Sequence, residues 1–145
     1  MRIKIAYYIG GTRFIDRIIR LWSRSSISHC EIVFDELCCS SSPRDRGVRC
    51  KIIDLNNGKW EVVEYEIPIE ENPFIWFREN NGKRYSYGTI INFIVKIFPK
   101  SSERYICTES ILLSLGIEEK CMSPSEMYTL LHIYRVSIFS LSGVA

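Results

Sequence analysis

Apolar and polar residues alternate with period two over residues 2–8, RIKIAYY, so Ile3, Ile5 and Tyr7 share one face of a first strand. Gly10 and Gly11 end it. Thr12 can then cap a helix on which Phe14, Ile15, Ile18, Ile19 and Trp22 keep helical spacing. After the polar run SRSSIS, alternation resumes at about 28–34. Asp35 and Glu36 turn the chain into a partner strand near 37–41, which predicts a hairpin. Residues 47–53 are extended, NNGK is a turn signal, and WEVVEYEI alternates again. Helical patterns follow, one at about 85–98 ended by Pro99 and one at about 105–115 ended by Gly116. A third is opened by SPSE, with Ser123 as cap, Pro124 at the first position and Glu126 closing a capping box. A last strand is predicted at about 132–139. Strands first and helices later predict one α+β domain over residues 1–145, an antiparallel sheet with helices packed on it. No repeat, low-complexity segment or linker divides it.

Composition narrows the function classes. A chain of 145 residues with 46% hydrophobic and 25% charged residues can bury a core of its own. The net charge is only +2 and basic residues are mixed with acidic ones, so no nucleic-acid footprint is expected. No apolar run is long enough to span a membrane. MRIKIAYYIGG lacks the apolar core and small-residue cleavage site of a signal peptide, which predicts a cytoplasmic protein. In a reducing compartment the six cysteines, at 30, 38, 39, 50, 107 and 121, are expected to act mostly as small hydrophobes. No CxxC pair is present to suggest zinc, and no cofactor is implied.

Two stretches carry candidate chemistry. In SHCEIVF, strand alternation puts His29 and Glu31 on one face and Cys30 and Ile32 on the other. Taken alone, His29 reads first as an edge residue satisfied by a backbone carbonyl. In RYICTESILLSLG, Cys107 opens a helix, where free N–H groups and the helix dipole favour a thiolate and could face an oxyanion. The same position suits a small core residue, but Thr108 and Glu109 are polar and the apolar run begins only at Ile111.

Ser28-His29 before a strand, Gly82-Lys83-Arg84-Tyr85, and Tyr105-Ile106-Cys107-Thr108-Glu109 opening a helix occur in an order that resembles the circularly permuted papain-like cysteine hydrolases. These form the permuted branch of the NlpC-type cell-wall peptidase superfamily, with the YiiX-like proteins, poxvirus relatives and the lecithin retinol acyltransferase group. The likeness covers roughly residues 20–130, although Arg84 stands where the family pattern has proline. It implies a permuted papain-like fold with Cys107 as nucleophile and His29 as base. It also implies a third, polar residue on the next strand about a dozen positions after the histidine. That register falls on Ser40 or Ser41. Ser40 is the favoured orienter, with Glu31 as the alternative, because two positions along a strand is about 7 Å and Glu31 must reach back. The implied chemistry is thiol-based cleavage or transfer at a peptide, isopeptide, or lipid ester or amide bond, in a cytosolic amidase or a virus- or phage-encoded effector. A binding module that has lost catalysis is the alternative. His132 is expected to be structural, and Tyr85, Tyr87 and Phe93 are expected to pack in a helix core rather than line a groove.

Overall fold

A computed structural model describes residues 1–89, 104–118 and 123–142, with side chains described as far as Ile133 except that of Trp22. Seven strands among these residues form one sheet: β1 (Arg2–Tyr8), β2 (His29–Phe34), β3 (Leu37–Ser42), β4 (Gly47–Ile52), β5 (Trp60–Glu66), β6 (Arg84–Tyr85) and β7 (Arg104–Tyr105). Their order across the sheet is β5-β1-β2-β3-β4-β6-β7. Every pairing is antiparallel except β6 with β7. Four helices lie wholly within the described residues: α1 (Phe14–Ser23), α2 (Pro73–Glu79), α3 (Cys107–Ser114) and α4 (Pro124–Ser142). The α+β class and the β2–β3 hairpin are as the patterning predicts.

Local chemistry explains most of the boundaries. Ser123 and Glu126 exchange bonds across the first turn of α4, the Ser123 N–H donating to Glu126 Oε2 at 2.6 Å. Gly116 follows α3 at φ 71°, a left-handed conformation that ends a helix at little cost in glycine. Gly47 is needed for a different reason. A Cβ there would lie 2.0 Å from the Lys83 carbonyl oxygen, so only glycine lets the 83–84 segment pair with β4.

Several expectations need correction. α1 starts after Arg13, which takes the cap position with no side-chain bond, so Thr12 does not cap it. Asn72 caps an unanticipated α2 by accepting from the Phe74 N–H, with Pro73 at its first position. Residues 84–85 are strand, not helix, and Tyr87–Thr89 are helical; the rest of the helix expected at 85–98, Phe93 included, lies outside the described residues. The strand expected at 132–139 is absent because α4 runs through it.

The core lies between the sheet and α3. Ile111, Leu112 and Leu115 are buried with Ile5, Ile32, Cys39, Met127 and Leu131, and α3 packs on β2 and β3. Burying each such side chain contributes about 1.5–3 kcal/mol. Cys39 and Cys50 are paired partners on β3 and β4, with Cα atoms 4.1 Å apart, and they form a disulfide. The expectation that the cysteines serve mostly as small hydrophobes therefore fails for this pair. The bond sits less easily with a reducing cytosol than with oxidising surroundings. No helix among the described residues is long and apolar enough to cross a membrane.

Candidate active site

β2 pairs with β3 only from Ile32↔Cys39 to Phe34↔Leu37. Toward the start of β2 the ladder stops, and the first turn of α3 supplies the partners instead. Cys30 directs its backbone toward β3: its carbonyl accepts from Ser40 Oγ at 2.8 Å, and its N–H goes to the Cys107 sulfur. On the β3 side, the Ser41 N–H donates to Ser110 Oγ at 3.1 Å and Ser41 Oγ donates to the Tyr105 carbonyl at 2.6 Å. The sulfur thus lies beside the edge of β2, where alternation lets His29 approach from one face of the sheet and the Cys30 thiol from the other. Cys107 hydrogen-bonds with both side chains.

The electrostatics follow from these contacts. The Cys30 bond, the His29 charge and the His29 bond together hold the Cys107 thiol well below its ordinary pKa, against the opposing effect of burial. Burial also opposes a charged His29, but the Cys107 charge and the bonds to Cys107 and Glu31 outweigh it and raise its pKa to about 9. Burial raises the Cys30 thiol, helped by its bond to Cys107, so Cys30 stays protonated and can donate S–H to the neighbouring sulfur. The two directions agree, each group favouring the charged form of the other, so the pair leans toward a Cys107 thiolate facing a His29 imidazolium. As the first residue of α3, Cys107 also carries one of the N–H groups that have no partner within the helix.

The third position is the clearest revision of the sequence analysis. His29 Nε2 is 2.7 Å from Glu31 Oε1, so the carboxylate does reach back along the strand and leaves Nδ1 for the sulfur. Neither favoured serine touches the ring: Ser40 is spent on Cys30 and Ser41 on Tyr105. Continuing the Ile32↔Cys39 register places Ser40 level with Glu31, not His29, which is why counting a dozen positions misleads.

Glu31 is buried, its side chain only 1% exposed, and such a carboxylate needs charge compensation. Arg49 supplies it from β4, two strands away, donating through both terminal nitrogens at 2.6 Å to the two carboxylate oxygens. Burial pushes the Glu31 carboxyl up, but the Arg49 and His29 bonds prevail and hold it below its ordinary pKa. Asp45 continues the chain, accepting from Arg49 Nε at 2.6 Å and from Lys51 Nζ at 2.7 Å. Sequence reasoning missed Cys30, Arg49 and Asp45. A buried carboxylate's need for a cation was a usable signal for Arg49; nothing local pointed to the other two.

A cavity of about 300 Å³ opens beside the His29 ring, with Tyr8, Ser28, Arg44, Lys59 and Trp60 in its wall. Arg44 lies 4.7 Å from the Tyr8 ring centroid and pairs with Asp16 at 3.2 Å. The buried Ser28 hydroxyl takes no partner among the described residues, which leaves a donor at the cavity wall. Cys107 is 4% exposed and does not line this cavity, whereas the His29 side chain is 13% exposed. His132 is held between the Tyr65 hydroxyl and the Tyr128 carbonyl. Tyr85 is buried edge-on to Tyr87, whose hydroxyl donates to the Pro43 carbonyl. No three metal-ligating side chains come together among the described residues. No known family model and no curated protein sequence matches the chain.

Proposed function

We propose that the chain is a thiol-dependent hydrolase or acyltransferase of the permuted papain-like kind, acting on an amide or ester bond. The observation that carries this reading is the Cys107–His29–Glu31 relay, in which the thiol is pulled down and the imidazole pushed up. A cysteine nucleophile, a base within hydrogen-bond reach and a third group fixing that base are what acyl transfer requires. The Cys107 thiolate attacks the acyl carbon, forming a C–S bond, while the Cys107 N–H faces the developing oxyanion. As the bond to the amine or alkoxide breaks, His29 gives its proton to the leaving group. Water or another acceptor then loses a proton to His29 and attacks the thioester, and thiolate and imidazolium are restored. Glu31 stays ionised throughout, holding the ring and stabilising its charge.

A papain-like binding module without catalysis is the second reading, and the low exposure of Cys107 favours it. Labelling with iodoacetamide at neutral pH, followed by peptide mapping, separates the two. A catalytic Cys107 is alkylated well ahead of Cys30 and Cys38 and loses that lead in His29→Ala. Slow labelling that does not distinguish the free thiols would leave the binding module.

A further inference from the structure

We propose that the outward face of α1 docks the protein on an anionic phospholipid bilayer. Phe14 and Leu21 are 79% and 82% exposed, the most exposed large apolar side chains among the described residues. They stand seven positions apart and so share one side of the helix. Arg17, exposed, lies one turn from each of them, and the exposed Arg13 and Arg24 bracket the helix at its two ends. None of these three arginines takes a side-chain partner among the described residues, whereas Arg20 is tied to the Ile9 carbonyl at 2.8 Å. Asp16, the only acidic residue in α1, turns inward to Arg44. The outer face therefore carries apolar bulk and positive charge with no acidic residue of the helix to offset them.

Single exposed apolar residues are ordinary on protein surfaces. Two on one stripe, flanked by arginines, give the pattern of a helix lying in a membrane interface. The shape favours lipid over protein, because two side chains projecting from a convex helix need matching sockets in a folded partner but none in acyl chains. The arginines suit the phosphate and carboxylate groups of anionic headgroups. The inner face of α1 is already committed, since Asp16 and Ile19 help wall the cavity beside His29. The docking is independent of the thiol chemistry and can fail or hold without it.

The test is cosedimentation of the full chain with phosphatidylcholine vesicles, with and without phosphatidylserine, at low and high salt. The parent should bind the phosphatidylserine vesicles, weaken as salt rises, and bind phosphatidylcholine alone poorly. Arg17→Gln should lower affinity about fivefold, and the Phe14→Ser/Leu21→Ser pair at least about tenfold. Because these side chains are exposed, thermal melts of the variants should match the parent. Absence of binding to phosphatidylserine vesicles at low salt would overturn the proposal, as would binding that neither variant weakens. A parent dimer that the Phe14→Ser/Leu21→Ser pair splits, without vesicle binding, would assign the face to a second copy. Equal affinity for soluble polyglutamate, insensitive to loss of Phe14 and Leu21, would assign it to an acidic polypeptide.

Discussion

Replacing Glu31 by glutamine tests the relay where it departs most from the sequence expectation. The substitution keeps the size of the side chain and removes the charge that lies 2.7 Å from His29 Nε2. A hydrogen bond to a charged group is worth roughly 1.5–3 kcal/mol. Arg49 grips the same carboxylate through two nitrogens and offsets part of its field, so the lower part of that range, about 1.5–2 kcal/mol, applies. Losing that support lowers the His29 pKa, which the parent holds at about 9. Imidazolium is present below its pKa and lost as pH rises through it, so in Glu31→Gln this alkaline limb should move downward by about one to one and a half pH units. The acid limb, on which the Cys107 thiolate forms, should not rise, because the carboxylate charge opposes the thiolate. The assay is the pH titration of the His29 ring by nitrogen NMR, beside the rate of Cys107 alkylation by iodoacetamide across pH. Removing the carboxylate also strands part of the Arg49 charge, at a cost of about 3 kcal/mol of stability. The Glu31→Gln/Arg49→Met pair removes that burden and should show the same displaced alkaline limb. An unmoved alkaline limb in Glu31→Gln, together with a displaced one in Ser40→Ala, would refute the assignment of Glu31 and restore the serine.

Two further outcomes follow from the sulfur contacts. Cys30→Ala removes the thiol that bonds to Cys107, so the acid limb of the alkylation profile should rise by about half to one pH unit, the worth of one neutral hydrogen bond; an unchanged limb would deny Cys30 that role. Cys39→Ser/Cys50→Ser opens a bond between residues 11 apart and should lower stability by about 2.5–3 kcal/mol in denaturant unfolding, with no change in Cys107 alkylation at neutral pH.

Much of the sheet was legible because its strands are written in period two and end at turn residues, as β1, β2 and β5 show. The start of α4 was legible for the same local reason, in Ser123, Pro124 and Glu126. Its end was not. The β-branched residues of HIYRVSIF suggest strand, but nothing between Leu131 and Ser142 breaks a helix already capped, with no proline or glycine before Gly143. Cys107 and His29 were marked by local signals, the head of a helix and the entrance of a strand. Their orienting group depends on facts that local pattern does not contain: where the β2–β3 ladder stops, and that Arg49 on β4 can reach across β3 to neutralise Glu31. Pairing of Cys39 with Cys50 likewise rests on the register of β3 against β4.

Whether Cys107 and His29 form a thiolate–imidazolium pair can be read without any substrate, by following the His29 ring through a pH titration by nitrogen NMR in the parent and in Cys107→Ser. Imidazolium whose pKa is raised persists below that value and is lost as pH rises through it. In the parent, His29 should remain protonated through neutral pH and titrate at about 9. In Cys107→Ser, which removes the facing thiolate, it should titrate at lower pH. A His29 that titrates in the ordinary histidine range, near 6.5, and does so equally in both proteins, would contradict the account.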